Sequence, residues 1–202
     1  MKLLVFTDLH ANVTSLKRIE KKVREQNPDV IINLGDFTIF EQNIEDVLER
    51  LELLNKPVLI IHGNHEDARI LQKLCKRYPN LKYVHRRIIT INSYNFVFHG
   101  GGGFYYGKRL SGDKDFDRLV IENKHKLKGK LCLFTHAPPA NTRPDYLRWA
   151  GHVGCTSYKR FIDKYKPVLA LCGHLHENFG KKQKIRKTTV ANPGPEGEIY
   201  AL

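Results

Sequence analysis

The sequence is poor in cysteine, methionine and tryptophan, has fewer acidic than basic residues, and contains no long hydrophobic run. Its four cysteines are widely spaced and include no CxxC pair, which argues against a disulfide framework and against a thiolate-ligated zinc site. No apolar stretch approaches the roughly 20 residues that cross a bilayer, so no membrane partner is expected. The first residues enter a polar motif too early for a signal peptide, and we therefore expect a cytoplasmic protein.

The composition suits one globular domain over residues 1–202, with 41% hydrophobic residues. Lys and Arg number 34 against 21 Asp and Glu, which gives a formal net charge of +13. Such a field attracts anionic substrates, and it could also hold nucleic acid. Because no basic segment interleaved with aromatic residues is visible, a solvated lysine-rich surface is the simpler interpretation. Nucleic acid stays open as a partner but is not favoured.

Five short polar motifs each follow an apolar run of the kind that forms a buried strand. They are Asp8-Leu9-His10, Gly35-Asp36, Gly63-Asn64-His65-Glu66, His136 and Gly173-His174-Leu175-His176. In open α/β sheets, ligand sites collect beyond the carboxyl ends of the strands. The pattern therefore predicts that carboxylates, one amide and several imidazoles converge at one edge of a sheet, as a two-metal site for phosphate ester cleavage requires.

The segments between and after these motifs alternate between helical and strand-like periodicity. Apolar spacing predicts helices over 14–26, 44–54, 67–78, 113–127 and 157–165. Short β-like runs within 82–99 predict antiparallel strands, and two more runs, 186–191 and 198–202, end the chain. Periodicity alone leaves two architectures open, namely two sheets packed face to face or one doubly wound sheet.

Taken in order, the five motifs resemble the pattern D-x-H, GD, GNH[DE], H and GHxH of the calcineurin-like metallophosphoesterases, from Asp8 to His176. The resemblance implies an α/β fold, namely a four-layer α/β/β/α sandwich with two mixed sheets packed face to face and helices outside. His136-Ala137-Pro138-Pro139 and Gly151-His152-Val153-Gly154 are similar to a small single-domain, prokaryotic-type branch of that superfamily.

Carried over position by position, the resemblance implies a dinuclear metal centre. The first metal would be held by Asp8, His10 and His176, the second by Asn64, His136 and His174, and Asp36 would bridge the two. Oxygen and imidazole ligands without thiolate suit Mn²⁺, which we expect first, or Fe, Zn²⁺, Co²⁺ or Ni²⁺.

The resemblance also implies the roles of the catalytic residues Asp36, Asn64 and His65. A hydroxide bridging the two metals would attack phosphorus in line. His65 would then protonate the leaving group, and Glu66 could orient or charge its imidazole.

Weaker expectations concern residues around this centre. Asn12 either lies near the first metal or caps the helix that follows it. His99 and His152 either line the substrate pocket or are ordinary surface histidines. Substrate choice is expected in the loops 100–112 and 137–156, and small members of the family often form homo-oligomers.

The leading hypothesis is a phosphodiesterase or phosphomonoesterase for a small molecule such as a nucleotide. One alternative is a nuclease acting on DNA or RNA, which the net charge of +13 favours. Another is a non-catalytic interaction scaffold on the same fold, which ranks low because every ligand position of the motif is filled.

Overall fold

The computed structural model describes residues 1–105 and 110–202 of the chain. Its strands are β1 (Lys2–Phe6), β2 (Val30–Asn33), β3 (Val58–Ile60), β4 (Leu81–Tyr83), β5 (Arg87–Ile91), β6 (Tyr94–His99), β7 (Lys130–Thr135), β8 (Tyr146–Leu147), β9 (Gly151–His152), β10 (Leu169–Leu171), β11 (Lys182–Ile185), β12 (Thr188–Ala191) and β13 (Glu198–Ala201). Its α-helices are α1 (Val13–Gln26), α2 (Ile44–Glu52), α3 (Ala68–Cys75), α4 (Lys114–Glu122) and α5 (Thr156–Tyr165).

These strands form two mixed sheets and a small ribbon. The first sheet has the order β13-β1-β2-β3-β4, in which β1 to β4 are parallel and β13 is antiparallel to β1. The second has the order β11-β12-β10-β7-β6-β5, with parallel pairing from β12 to β6 and antiparallel strands at both edges. Strands β8 and β9 pair with each other as a separate ribbon.

Three hydrophobic clusters fill the spaces between the layers. Because side chains alternate along a strand, Leu4 and Phe6 of β1 pack against α1, α2 and α3, whereas Leu3 and Val5 face the second sheet. A third cluster packs the other face of the second sheet against α4 and α5. The layers therefore run helices, sheet, sheet, helices, which confirms the expected α/β/β/α sandwich and excludes the single doubly wound sheet.

Helix α1 follows its sequence pattern closely. Its inward positions Leu16, Ile19 and Val23 are buried, and the Asn12 side chain accepts a hydrogen bond from the backbone N–H of Ser15 at 2.9 Å. This N-cap satisfies one of the backbone donors that a helix start leaves free. None of the helices in the described ranges has both the length and the apolar character needed to cross a membrane.

Three segments differ from the sequence-based expectation. The helix expected over 113–127 ends at Glu122, and a separate 3-10 turn covers Lys124–Lys126. Helix α3 ends at Cys75 rather than near 78, and Ile70, which the apolar spacing with Leu71 and Leu74 places on the inward face, is 44% exposed.

The strand expected over 186–191 is present as β12 but begins at Thr188. It pairs around a turn at Arg186 with β11, a strand that the apolar runs do not predict. Lysines alternate along β11, and alternation at a sheet edge carries a weaker hydrophobic signal than a buried run.

Candidate metal centre

The five motif loops meet where the carboxyl ends of the two sheets lie side by side. The backbone N–H of His174, after β10, donates to the Asp8 carboxylate after β1 at 2.9 Å. The Nδ1–H of His136, after β7, donates to the carbonyl oxygen of Leu34, after β2, at 2.9 Å. These two bonds connect the loops of one sheet to those of the other, so the structure brings the motifs together at one edge.

The first group of candidate ligands contains Asp8, His10 and His176, whose ligand atoms lie within 4.8 Å of one another. The Nε2 atoms of His10 and His176 are 3.0 Å apart, and Nε2 of His176 is 3.6 Å from Oδ1 of Asp8. His10 donates its Nδ1–H to the carbonyl oxygen of Thr38 at 3.1 Å, which leaves the Nε2 lone pair directed at His176. The hydroxyl of Thr7 donates to Oδ2 of Asp8 at 2.7 Å and thereby orients the carboxylate.

The second group contains Asp36, His136 and His174, again within 4.8 Å. Nε2 of His136 is 3.3 Å from Oδ2 of Asp36 and 3.1 Å from Oδ1 of Asn64. Asp36 also belongs to a close group with His10 and His65, so it lies between the two ligand groups. This is the position expected for the bridging carboxylate.

The electrostatics of this second group favour a cation. Burial alone would raise the pKa of the Asp36 carboxyl, but its hydrogen bond with His136 and the charge of that imidazole hold the pKa well below its usual range. Burial also opposes the charged form of His136, yet the hydrogen bond with Asp36 raises the pKa of His136 to about 9. The pair therefore stabilises positive charge between the two side chains.

The donor set fits a divalent metal. Nε2 of His174 is buried and has no hydrogen-bond partner among residues 1–105 and 110–202, and burial lowers the pKa of His174 to about 4. An uncharged imidazole with a buried, unsatisfied nitrogen is costly unless a cation accepts its lone pair. His10 and His136 each donate the other ring N–H to a backbone carbonyl, the arrangement that metal-ligating histidines have in proteins.

His65 lies beside this centre but is oriented differently. The backbone N–H of Phe40 donates to Nδ1 of His65 at 3.3 Å, so the neutral imidazole carries its proton on Nε2. That Nε2 is 3.9 Å from Oδ2 of Asp36, and the backbone N–H of His65 donates to the other Asp36 oxygen at 2.9 Å. An N–H therefore faces the centre, which suits a proton donor better than a metal ligand.

Glu66 makes no hydrogen bond to the imidazole of His65, contrary to the expectation that it orients or charges that ring. The Glu66 side chain is buried and accepts four hydrogen bonds, from the N–H groups of Asp36, Thr38 and Gly63 and from the Thr38 hydroxyl, at 2.9–3.0 Å. Burial raises the pKa of Glu66, and the hydrogen bonds from Gly63 and Thr38 oppose that rise. Glu66 thus holds together the loops that carry Asp36 and Asn64.

The weaker expectations have different outcomes. Asn12 is the N-cap of α1, as the second of its two expected roles predicts. His99 is neither a surface residue nor a pocket residue, because it is buried between the Tyr158 hydroxyl at 2.8 Å and Oδ2 of Asp115 at 3.3 Å. The physical reason is its place at the end of β6, on the face that packs against α4 and α5.

His152 is partly exposed and lines a cavity. Its Nδ1 is 2.6 Å from Oδ1 of the buried Asp145, and the cavity, of about 680 Å³, is also lined by Tyr146, Lys181 and Lys182. The cavity lies within the 137–156 loop and the hairpin after His176. Of the other expected substrate loop, 100–112, residues 106–109 lie outside the described part of the chain.

A second cluster of imidazoles lies near the centre without resembling a metal site. His85, His99 and Asp115 offer ligand atoms within 4.8 Å of one another, and the His62 ring is 4.6 Å from that of His85. However, the backbone N–H of Gly100 donates to Nδ1 of His85 at 2.9 Å. The neutral His85 ring must therefore carry its proton on Nε2, the atom that would face a metal.

Two structural features of the site have no signal in the sequence. Gly173 lies so close to Thr7 and the Asp8 carboxylate that a β-carbon at this position would overlap both, and a motif alone does not reveal such a contact. Phe40 packs against the His65 imidazole with ring centroids 4.3 Å apart. A single aromatic residue in an irregular loop has no periodicity that could signal this role.

Relatives of this chain are known from both sequence and structure. Residues 1–178 match the calcineurin-like phosphoesterase family. The chain belongs to this family. It is 30% identical over 174 residues to a probable glycerophosphodiester phosphodiesterase of Arcobacter nitrofigilis, a match that covers 82% of this chain and 63% of that protein.

A probable cyclic nucleotide phosphodiesterase of Coxiella burnetii is 25% identical over 158 residues, covering 75% of this chain and 61% of that protein. This calcineurin-like chain thus spans less than two thirds of the length of both relatives. The crystal structure of TT1561 from Thermus thermophilus has a TM-score of 0.74 at 14% identity, over 96% of this chain and 90% of that one. That likeness shows the shared fold.

Proposed function

We propose that this chain hydrolyses phosphate esters at a centre of two divalent metal ions. The observation that carries the proposal is the arrangement of two groups of facing ligand atoms around Asp36, with imidazole nitrogens directed inward. Membership of the calcineurin-like phosphoesterase family supports the reaction class.

Within this proposal, Asp8, His10 and His176 would hold one ion, Asn64, His136 and His174 the other, and Asp36 both. Bound divalent ions would lower the pKa of a water at the site and neutralise charge on the phosphoryl oxygens. We expect Mn²⁺ first, and Fe, Zn²⁺, Co²⁺ or Ni²⁺ as substitutes, since the ligands are oxygen and imidazole nitrogen.

The protein's own groups would complete the reaction. His65 presents Nε2–H beside Asp36 and would donate its proton to the departing alkoxide oxygen as the ester bond breaks. Glu66 fixes the backbone of Asp36 and Gly63, which holds the bridging carboxylate and the proton donor at a constant distance from each other. The net charge of +13 would attract an anionic ester.

The proposed substrate is a diester or monoester of a small molecule. Two relatives with diesterase names, one for glycerophosphodiesters and one for cyclic nucleotides, support a diester. A homo-oligomer and a cytoplasmic location remain part of this proposal.

The proposal is tested by comparing hydrolysis of bis(p-nitrophenyl) phosphate with that of p-nitrophenyl phosphate. The protein is first stripped with a chelator and then supplied with each divalent metal in turn, with Asp36→Ala as the inactive control. We expect turnover only after metal is added, with the diester preferred. Turnover that chelation does not abolish, or that Asp36→Ala retains, would refute the proposed centre.

A nuclease is the second candidate, and the net charge of +13 favours it. It predicts degradation of single-stranded DNA with a steep loss of binding as salt rises. A non-catalytic scaffold would be supported if no ester and no nucleic acid were hydrolysed with any divalent metal.

A further inference from the structure

Phe40 is a large apolar side chain left in solvent directly beside the reactive groups. Its side chain is 70% exposed, and its ring lies against the His65 imidazole, with centroids 4.3 Å apart and planes inclined by 39°. An exposed phenyl ring that packs mainly against one imidazole contributes little to the core. Because this ring lies against the proposed proton donor, it offers an apolar face to a group bound at the centre.

The backbone of this loop holds the ring in place despite an unfavourable conformation. Phe40 and Glu41 have φ angles of 46° and 64°, in the left-handed region that bulky residues rarely adopt. Phe40 is fixed by its N–H bond to Nδ1 of His65 at 3.3 Å, and Glu41 accepts from the N–H of Asp67 at 2.6 Å. Strained residues of this kind collect at ligand sites, where the surrounding structure determines them.

A second exposed phenyl ring lies against the other ligand group. Phe104 is 56% exposed, and its ring is 5.0 Å from that of His174, with planes inclined by 64°. One ring therefore contacts the proposed proton donor and the other contacts a proposed metal ligand. An ester bound at the centre would have an aromatic surface on the side of His65 and another on the side of His174.

We infer that Phe40 determines specificity by stacking on a flat aromatic ring in the leaving alcohol of the substrate. This inference rests on the proposed function, because it takes the departing group to lie at His65, the residue that Phe40 contacts. Hydrolysis then breaks the P–O bond to that alcohol and forms a P–O bond to the oxygen of a water that has lost one proton to solvent. His65 gives its proton to the departing alkoxide, which leaves as the alcohol, and is reprotonated from solvent. The substrate class is an ester of a nucleoside or of an aryl-bearing alcohol rather than of glycerol or another aliphatic alcohol.

The test compares two symmetrical diesters whose leaving alcohols are similar in size and basicity, dibenzyl phosphate and bis(cyclohexylmethyl) phosphate. Only the first has a flat aromatic ring. We expect the metal-loaded protein to favour the benzyl ester by about fivefold in kcat/KM, the size of one aromatic stacking contact. Phe40→Ala should raise KM for the benzyl ester by a similar factor and remove the preference, whereas Phe40→Tyr should retain it.

Three further measurements test the stacking role against simpler explanations. Leu53→Ala removes another exposed apolar side chain, 74% exposed at the end of α2, and should leave the preference intact. Calorimetry with benzylphosphonate and cyclohexylmethylphosphonate, which are not hydrolysed, measures the same preference without turnover. Adenosine 5′-methylphosphate then distinguishes the sources of the ring: a lower KM than for dibenzyl phosphate assigns a nucleoside, and a higher KM assigns an aryl alcohol.

The outcomes for the two proposals differ. Equal kcat/KM for the benzyl and cyclohexylmethyl esters, unchanged in Phe40→Ala, would overturn the stacking role while leaving the phosphoesterase proposal intact. If no ester were hydrolysed with any metal, the phosphoesterase proposal would fail. Equal phosphonate affinities in that case would overturn the stacking role as well.

Discussion

Replacing Glu66 with Gln tests whether this buried carboxylate holds the loops of the metal centre together. One Glu66 oxygen accepts from the N–H groups of Asp36 and Gly63, and the other from the N–H and hydroxyl of Thr38. An amide has one oxygen and one NH₂ group, so it can face only one of these pairs with an acceptor. The best orientation places the NH₂ group toward Thr38, where the hydroxyl can turn and accept a hydrogen bond. The backbone N–H of Thr38 can only donate, so it loses its acceptor.

The magnitude follows from counting what is lost. One buried backbone N–H is left unsatisfied, at about 1–3 kcal/mol, and the two remaining bonds lose their charge assistance, at about 1 kcal/mol each. Removing the cost of burying a charge offsets part of this sum. We therefore expect Glu66→Gln to lower the free energy of unfolding by at least about 2 kcal/mol, a large share of the stability of an ordinary domain.

The assay is urea unfolding of the chelator-treated protein, followed by metal titration of the folded variant. Glu45→Gln is the matched control, because Glu45 is exposed and pairs with Arg77 at 2.8 Å, and solvent screens such a surface contact so that its loss changes stability little. Metal affinity of Glu66→Gln should fall by about 10–100-fold, since Asp36 loses its support. A destabilisation equal to that of the control, with normal metal affinity, would refute the role assigned to Glu66.

Three other substitutions test the centre and its surroundings. Asp36→Ala should lose both metals together, measured by metal analysis after dialysis, and retention of one ion at normal affinity would contradict bridging. His65→Ala should lower turnover by about 10²–10⁴ while metal content is retained, and full activity on an ester with a poor leaving group would contradict its acid role. Burial lowers the pKa of His85 to about 3 from 6.5, so the unfolded state binds more protons between these values and stability falls as pH falls below 6.5. His85→Asn keeps an acceptor for the backbone N–H of Gly100. In urea unfolding, the loss of stability between pH 7 and 5 should be about 1–2 kcal/mol smaller in this variant than in the unsubstituted protein. An unchanged pH dependence would contradict this.

The positions of the motif residues could be predicted from sequence because strand ends fix them. A buried parallel strand reads as a continuous apolar run, and the residue after it must lie at the sheet edge, as Asp8, Asp36 and His136 do. The directions of side chains within a loop could not be predicted. His65 and Glu66 are adjacent in the chain, yet one faces the centre and the other points into the buried backbone beneath it, since the turn between them sets those directions.

Two proposed metal ligands have left-handed backbone conformations, which the fold alone would favour for glycine. Asp8 and His174 have φ angles of 50° and 72°, a conformation that glycine adopts without strain and other residues at about 1–2 kcal/mol. A residue with a ligand side chain is present there in place of glycine. The need for the ligand therefore explains the residue type better than the preference of the backbone does. Asp8→Gly and Asp8→Ala both lose the carboxylate and its hydrogen bonds, so they should bind metal equally poorly. Asp8→Gly should nevertheless be more stable by roughly 0.5–1 kcal/mol in urea unfolding of the metal-free protein, and equal or reversed stabilities would show that this backbone is not strained.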